Sequence, residues 1–270
     1  MQSKDFKTFS YHAGKWESQP VNVIGEVAVT LTVNNTAWLT FMCTPNELEA
    51  LALGFLYNEE IIDTLDEVTN VRVCPTGDNI DVWLNRPVQI PEKWTRTSGC
   101  SGGKTSADGQ KSRNNEARSK NGYLLPPEVI GSLVKQLRDA QDLYRKTGGV
   151  HTSALSDGEK IIITTEDIGR HNTIDKLQGR CMLEGINLTK KIILTTGRIS
   201  SEMIQKASRM DATVVISRTS PTTLSVEMAE KLGITLIGYA RQDTFTVYTH
   251  PERILPITVG EKTIARQHDE

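Results

Sequence analysis

The sequence predicts an α/β protein in which a smaller N-terminal α+β part precedes a larger part built around a parallel sheet. Three short apolar runs, at residues 191–195, 212–217 and 234–239, are separated by segments in which apolar residues recur at helical spacing. Strands of this kind are buried on both faces, which is typical of a parallel sheet covered by helices. A length of 270 residues suits one or two domains.

The N-terminal part is predicted to contain a β-hairpin over residues 21–40. This segment is rich in Val, Leu and Thr, and Asn34 and Asn35 in its middle tolerate the left-handed backbone of a tight turn. Two further short strands are predicted at residues 71–73 and 80–84 because both segments are rich in β-branched residues.

A helix is predicted to follow the hairpin, starting at Thr44. Thr44 is the expected N-cap, Pro45 the first helical residue and Glu47 the second half of a capping box. Leu48 and Leu51 follow at helical spacing, so this helix is expected to bury one face.

Residues 101–122 differ from the rest of the chain. Only two of these 22 residues are apolar, and five basic against two acidic side chains give a local charge of +3. Such a segment cannot offset the entropy lost on ordering, so we expect a mobile loop that is functional or a linker. The loop separates a predicted N-terminal domain, residues 1–100, from a predicted C-terminal domain, residues 123–270.

The C-terminal domain is expected to open with one long helix over residues 126–146, which the pair Gly148-Gly149 ends. Two strands joined by a turn at 156–158 come next, and helices and strands then alternate. The predicted strands are 151–155, 160–165, 191–195, 212–217 and 234–239, and the further predicted helices are 171–183, 200–209 and 222–232.

The composition argues against several classes of protein. A formal net charge of −2 does not suit a general nucleic-acid coat or a polybasic membrane binder. The four cysteines form no C-x-x-C pair, which argues against a disulfide scaffold and a four-thiolate zinc site. The N-terminus lacks the apolar core of a secretory signal, and no apolar run approaches the ~18 residues of a membrane span. We therefore expect a cytoplasmic protein with no membrane or nucleic-acid partner.

Four predicted strands of the C-terminal domain are each followed by an arginine. Arg170, Arg198, Arg218 and Arg241 lie just past the carboxyl ends of these strands. In open α/β sheets ligands bind at this edge, to which helix N-termini also point backbone N–H groups. Guanidinium groups bind phosphates in a bidentate manner, so the edge is predicted to bind a phosphate-bearing ligand. The alternative is that these are ordinary loop arginines in solvent or in salt bridges.

Acidic and histidine residues near the same edge have two interpretations. Glu166, Asp167, His171 and Asp175 could form a metal or acid–base cluster, or the first two could cap the next helix. We favour capping over metal binding and leave direct chemistry open. His151 is expected to be a packed histidine at the start of a strand.

One cysteine differs from the other three in its setting. Cys43, Cys74 and Cys181 lie in apolar segments or regular elements and are expected to be inert buried thiols. Cys100 lies in a glycine-rich stretch between Arg96 and Lys104, and such an electropositive setting lowers a thiol pKa. Cys100 is therefore the candidate nucleophile, although a chance cysteine in a turn is the alternative.

Seven segments of the chain resemble a known family. They are MCTPNELEALALGFLYNEEII, TSGCSGGKTS, GGVHTSAL, EDIGRHNTIDK, TTGRISSEMIQKA, SPTTLSVEMAEKLGITLIGYAR and VYTHPERI. The set resembles the FdhD family, the formate dehydrogenase accessory sulfurtransferases, and the likeness covers most of residues 20–255. The run EDIGRHN-x-x-DK followed by GR-x-S-x-EM is highly specific.

The resemblance implies a C-terminal domain with a three-layer, cytidine-deaminase-like α/β/α fold that lacks the zinc site. Zinc deaminases need the signatures H-x-E and P-C-x-x-C. Here His151 is followed by Thr152 and Ser153, and the chain has no C-x-x-C. We therefore expect no structural or catalytic metal.

The resemblance also implies a sulfur carrier that serves formate dehydrogenase. Cys100 would accept sulfur as a persulfide from a cysteine desulfurase and pass it to the molybdenum cofactor in its bis(guanine dinucleotide) form. Loading of the catalytic subunit of formate dehydrogenase would follow, and the carrier would be a homodimer. The residues expected to hold the cofactor are Tyr239, Ala240, Arg241, Gln242, Asp243, Thr244, Arg170, His171, Arg198 and Arg218.

The chain departs from the family in its cysteine motif. The family usually carries C-G-x-C-G, whereas Cys100-Ser101-Gly102-Gly103 has a single thiol. A lone thiolate can still accept sulfur from a persulfide and hand it on. A cofactor-binding chaperone without sulfur transfer is therefore the alternative.

Overall fold

The computed structural model describes residues 1–89, 94–96, 104–106 and 124–254. Its strands in chain order are β1 Ser3–His12, β2 Lys15–Ile24, β3 Val27–Val33, β4 Thr36–Cys43, β5 Val68–Val73, β6 Asn79–Leu84, β7 Trp94–Arg96, β8 Lys104–Ser106, β9 His151–Ser156, β10 Ile161–Asp167, β11 Ile192–Thr195, β12 Val214–Ser217, β13 Thr235–Gly238 and β14 Thr246–Val247. Its helices are α1 Leu48–Asn58, α2 Pro127–Asp139, α3 Asp142–Thr147, α4 Arg170–Leu183, α5 Ser201–Arg209 and α6 Thr223–Lys231.

The N-terminal part combines a β1–β2 hairpin with a four-stranded sheet of order β4-β3-β6-β5. The predicted hairpin is confirmed as β3–β4, where Asn34 and Asn35 have φ of 47° and 64°. Residues 21–24 belong instead to β2. The strands predicted near 71–73 and 80–84 are β5 and β6. Helix α1 packs on this sheet and closes an apolar core.

The predicted start of α1 is wrong. The helix begins at Leu48, and Glu47 precedes it in the left-handed region at φ 50° with no side-chain cap. The Thr44 hydroxyl is not available as a cap because it accepts a hydrogen bond from the Ile168 N–H at 3.2 Å. The Thr44 N–H donates to Asp167 Oδ2 at 3.0 Å. A long-range contact therefore takes up the group that the local sequence pattern assigned to capping.

The C-terminal part is built on a six-stranded sheet of order β10-β9-β11-β12-β13-β14. The predicted parallel pairs β11–β12 and β12–β13 are confirmed. Strand β9 is antiparallel to both β10 and β11, and β14 is antiparallel to β13. Because two antiparallel steps restore the direction, β10 runs parallel to β11. The carboxyl ends of β10, β11, β12 and β13 therefore meet at one edge.

Helices cover both faces of this sheet. Side chains of α4, α5 and α6 pack on one face, with Ile174, Ile204 and Ala229 in the shared core. Helix α2 packs on the other face through residues such as Ile130 and Leu133. The three layers α/β/α are thus observed, while the specific likeness to cytidine deaminases stays a prediction. No helix in the described ranges is long and apolar enough to cross a membrane.

Three predicted element boundaries are wrong. The long helix at 126–146 is two helices, because Gln141 leaves the helical path and its Nε2 donates to the buried Thr152 Oγ1 at 3.0 Å. Strand β10 runs on to Asp167, so Glu166 and Asp167 belong to a strand and not to a helix start. Within the predicted loop 101–122, Lys104–Ser106 forms β8 and pairs with β7. The other residues of that loop lie outside the described ranges.

The N-terminal part meets the sheet domain along α1 and α4, whose backbones are in direct contact. A Cβ placed on Gly54 would lie 1.8 Å from the Asp175 carbonyl oxygen. A Cβ on Gly179 would lie 1.9 Å from the Ala50 carbonyl oxygen. Only glycine allows so close a crossing, so α1 fixes the position of α4 and of the loop that precedes it. The division into domains 1–100 and 123–270 stays a prediction.

Candidate anion-binding site

A cleft of about 480 Å³ opens at the carboxyl edge of the sheet. Ligand sites of ordinary size fall in this range of volume, and this edge is where α/β sheets bind ligands. The lining residues are Gln141, Tyr144, Gly148, Gly149, Val150, His151, Ile168, Thr196, Arg218, Thr219 and Arg241. They come from α3 and the residues that flank it, the start of β9 and the loops after β10, β11, β12 and β13.

The charge of the cleft comes from two arginines. Arg218 and Arg241 line it, and none of the described lining residues is acidic. The Arg241 guanidinium donates from Nη1 to the Arg218 carbonyl oxygen at 2.6 Å and to the Ala240 carbonyl oxygen at 3.0 Å. These bonds hold it against the loop after β12. Two cations without a lining carboxylate make the cleft attractive to anions.

The other two predicted arginines differ from this pair. Arg170 begins α4, and its side chain passes over Gly197, where an added Cβ would come within 2.9 Å of the Arg170 Cβ. Arg170 therefore lies beside the cleft wall. Arg198 is exposed and does not line the cleft. Of the four predicted arginines, two therefore line the cleft, one lies beside it and one is exposed to solvent.

His171 does not line the cleft. It is buried between α4 and α5, where its Nε2 lies 3.3 Å from both Ser200 Oγ and Glu202 Oε2. Burial lowers the pKa of His171 to about 4, although Glu202 opposes the shift. Because a single nitrogen faces both partners, the three residues do not form a proton relay. The expectation that His171 contacts the cofactor has no support in this geometry.

The predicted stretch 239–244 contributes mainly one side chain to the cleft, that of Arg241. Tyr239 is exposed with φ 52°, and Ala240 is fully buried in the core. The Arg241 N–H donates to the Thr244 carbonyl oxygen at 2.7 Å, which closes a turn. Gln242 presents its carbonyl oxygen to Gly131 of α2, while Asp243 and Thr244 are exposed and do not line the cleft.

The acidic residues of the predicted cluster stabilise the fold. Glu166 accepts hydrogen bonds from the N–H groups of Leu143 at 2.7 Å and Tyr144 at 3.1 Å, so it caps α3, the helix that precedes it. Capping was predicted, but of the wrong helix. The buried Asp167 pairs with Lys176 at 2.6 Å, and both side chains bond across the boundary to Thr44 and Asn46 of the N-terminal part.

Asp175 belongs to a second buried ion pair. Its carboxylate accepts from Lys206 Nζ at 2.6 and 2.8 Å and from Asn58 Nδ2 at 2.8 Å. Among the described residues no group of three or more His, Cys, Asp or Glu side chains is arranged to hold a metal ion.

Several lining residues were not predicted from the sequence as site residues. His151 is predicted to be packed at a strand start and Tyr144 to lie on the apolar face of a helix, and the sequence assigns no role to Thr196. The direction of β9 would have pointed to His151, because the first residue of a strand antiparallel to β10 and β11 lies at the edge where those strands end. The pair Gly148-Gly149, which the sequence predicts only to end a helix, also lines the cleft.

The cysteines divide as follows. Cys43 and Cys181 are buried, as predicted, and burial raises their pKa to about 12 and about 11. Cys74 is only half-buried, against expectation, and its Sγ donates to Asp78 Oδ1 at 2.9 Å. Cys100 lies outside the described residues, between the paired strands β7 and β8 in sequence.

The layers and the cleft together define an α/β protein with an arginine-lined cleft at the carboxyl edge of its sheet. The chain belongs to the FdhD/NarQ family, whose model matches residues 24–255. It is 35% identical over 247 residues to the sulfur carrier protein FdhD of Bacillus subtilis, covering 90% of this chain and 94% of the relative. It is 34% identical over 248 residues to the protein of that name from Staphylococcus aureus, covering 91% and 94%.

The fold is also similar to a solved structure. The crystal structure of a formate dehydrogenase accessory protein from Desulfotalea psychrophila matches with a TM-score of 0.75 at 27% identity. The match covers 94% of this chain and 100% of that chain.

Proposed function

We propose that this protein is a sulfur carrier that serves formate dehydrogenase. The observation that carries the proposal is the family match over residues 24–255 to relatives named sulfur carrier protein. The predicted partners are a cysteine desulfurase as donor and the catalytic subunit of formate dehydrogenase as recipient. The carrier would act in the cytoplasm as a homodimer.

The substrate of the carrier would be the molybdenum cofactor in its bis(guanine dinucleotide) form, bound in the cleft. Arg218 and Arg241 would pair with its phosphates, since arginine suits phosphate oxygens and no lining carboxylate repels them. The donor set of the cleft therefore fits an anionic dinucleotide. Asp243 and Thr244 are exposed in the turn that follows Arg241, and they would contact the part of the nucleotide that extends beyond the cleft.

The sulfur would travel on Cys100. Its thiolate would attack the terminal sulfur of a persulfide on the donor enzyme, forming a new S–S bond while the S–S bond of the donor breaks. The donor cysteine would leave as a thiolate, so no external oxidant or reductant enters this step. A nucleophilic atom of the cofactor would then attack the terminal sulfur and bond to it while the S–S bond on Cys100 breaks, and Cys100 would leave as a thiolate.

A mass measurement tests the carrier role. Incubation with a cysteine desulfurase and cysteine should add ~32 Da, the mass of one sulfur, to the wild-type protein and to Cys74→Ala. Cys74 is the matched control, because it is the half-buried cysteine outside the proposed site. Cys100→Ala should gain no sulfur. An adduct that persists in Cys100→Ala would contradict the assignment. Nucleotide binding without any adduct in the wild type would favour the chaperone alternative.

A further inference from the structure

His151 occupies a central place in the cleft. It is the first residue of β9 and lies between the ends of β10 and β11 at the carboxyl edge. Its register partner on β10 is Asp167, and the loop after β11 passes on its other side. The two cleft arginines, Arg218 and Arg241, line the same cavity. A histidine at this point is placed to contact whatever anion those arginines bind.

One edge of the imidazole is held by the loop after β11. Its Nδ1 lies 3.4 Å from Thr196 Oγ1, and that hydroxyl already accepts the Thr152 N–H at 3.0 Å. A Cβ on Gly197 would lie 3.5 Å from the same Nδ1. The Thr196 proton is therefore free to point at Nδ1, which leaves the ring proton of a neutral imidazole on Nε2. No described residue forms a hydrogen bond with Nε2.

The charges around His151 are mostly positive. Burial lowers the pKa of His151, Arg170 lowers it further, and Asp167 opposes both. His171, whose own pKa burial lowers, is near enough to His151 for the two to interact electrostatically, and Arg218, Arg241 and Tyr144 line the same cleft. The imidazole is therefore neutral at pH 7 until a negative charge enters the cleft.

We propose that His151 is a ligand-binding residue of the cleft, which donates from Nε2 to a phosphate of the bound ligand and takes up a proton from solvent as that ligand enters. An anion within hydrogen-bond distance favours the charged imidazole, so binding and protonation support each other. The inference rests on the proposed function, because it assumes a phosphate-bearing ligand in this cleft.

Calorimetric titration with guanosine diphosphate tests the inference. Titrations at one pH in two phosphate-free buffers of different ionisation enthalpy give the number of protons taken up on binding. At pH 6.5 the wild type should take up about half a proton more than His151→Gln. The affinity of His151→Gln should be about 3- to 10-fold weaker than wild type at pH 6 and less than about 2-fold weaker at pH 8.

The comparison between variants removes the titration of the nucleotide itself, since its phosphate is the same in every experiment. His12→Gln changes an exposed histidine of the β1–β2 hairpin and should bind as the wild type does. His151→Asn provides a second substitution of the same site, and a thermal melt confirms that each variant is folded.

The outcomes separate the two proposals. A wild type that does not bind guanosine diphosphate would overturn the placement of the cofactor in the cleft. A wild type that binds it, with the same proton uptake as His151→Gln and His151→Asn, would overturn the role of His151 alone.

Discussion

Residues 166–176 contribute both to the cleft and to the boundary between α1 and α4. The two regions differ in whether their charged side chains are paired with an opposite charge. At the boundary, Asp167 and Lys176 are fully buried and paired at 2.6 Å. In the cleft, no carboxylate lies among the described residues that line it together with Arg218 and Arg241. Losing one partner of a buried ion pair destabilises the fold because the other charge stays buried, whereas two cations at a sheet edge attract an anionic ligand.

This difference explains why the residues of a highly specific sequence motif need not take part in binding or catalysis. Lys176 places all three of its N–H donors, on Asp167 at 2.6 Å, Asn46 at 2.7 Å and the Thr44 carbonyl at 3.2 Å. Any substitution of Lys176 would lose at least one of these three hydrogen bonds. Most polar side chains of the run EDIGRHN-x-x-DK therefore serve the contact between the two parts of the chain, while Ile168 lines the cleft and Arg170 lies beside its wall.

The largest effect is expected at the buried boundary. Lys176→Met removes the cation and leaves the Asp167 carboxylate buried without it, so we expect a loss of about 3–5 kcal/mol in the free energy of unfolding. Urea denaturation measures this loss. Arg138→Met removes an exposed partner of Asp139 and should cost less than about 0.5 kcal/mol.

A double substitution sharpens that experiment. Lys176→Met combined with Asp167→Asn removes both charges and should be more stable than Lys176→Met alone, because no unpaired carboxylate stays buried. If both variants lost the same free energy, packing would be responsible for the effect and the ion pair would not.

The next effect concerns pH and also belongs to the buried region. Because burial lowers the pKa of His171 to about 4, the unfolded chain binds a proton between pH 6.5 and 4 that the folded chain does not. Stability is therefore lost as the pH falls through this window, by about 3 kcal/mol at its lower end. Denaturation of wild type and His171→Gln at pH 7.5 and 4.5 measures the difference.

Two histidine variants test the origin of this dependence. His171→Gln should lose less stability on acidification than the wild type, whereas His12→Gln should follow the wild type. An acid sensitivity unchanged by His171→Gln would mean that the imidazole is already charged in the folded protein at pH 4.5, and the buried region would then not exclude the proton.

Local patterns in the sequence predicted the elements of the sheet, and with them the carboxyl edge. Short apolar runs were sufficient to identify β11, β12 and β13, and the arginine after each strand followed. The carboxyl ends of β10 and β11 lie at the same edge although β9 lies between them. Strand β9 is antiparallel to both, and two reversals leave β10 parallel to β11.

Long-range partners could not be predicted in this way. Glu166 caps a helix that begins 24 residues before it, and Thr44 bonds to residues more than 120 positions away. His171 and Arg170 are neighbours in sequence, but the turn of the helix sends one into the core and the other to the edge. Side-chain direction at a helix start depends on these packing contacts, which the sequence pattern does not contain.

The smallest effect is expected at the cleft, where two of the four predicted arginines can be compared by their contribution to nucleotide affinity. Arg218→Ala should weaken binding of guanosine diphosphate about 10-fold, or about 1.4 kcal/mol, because a cation that lines the cleft is lost. Arg198→Ala removes an exposed arginine of the same edge that does not line the cleft, and should weaken binding less than 2-fold at ~0.15 M salt. Equal losses of affinity in both variants would show that the electrostatic field of the whole edge, and not the cleft in particular, binds the nucleotide.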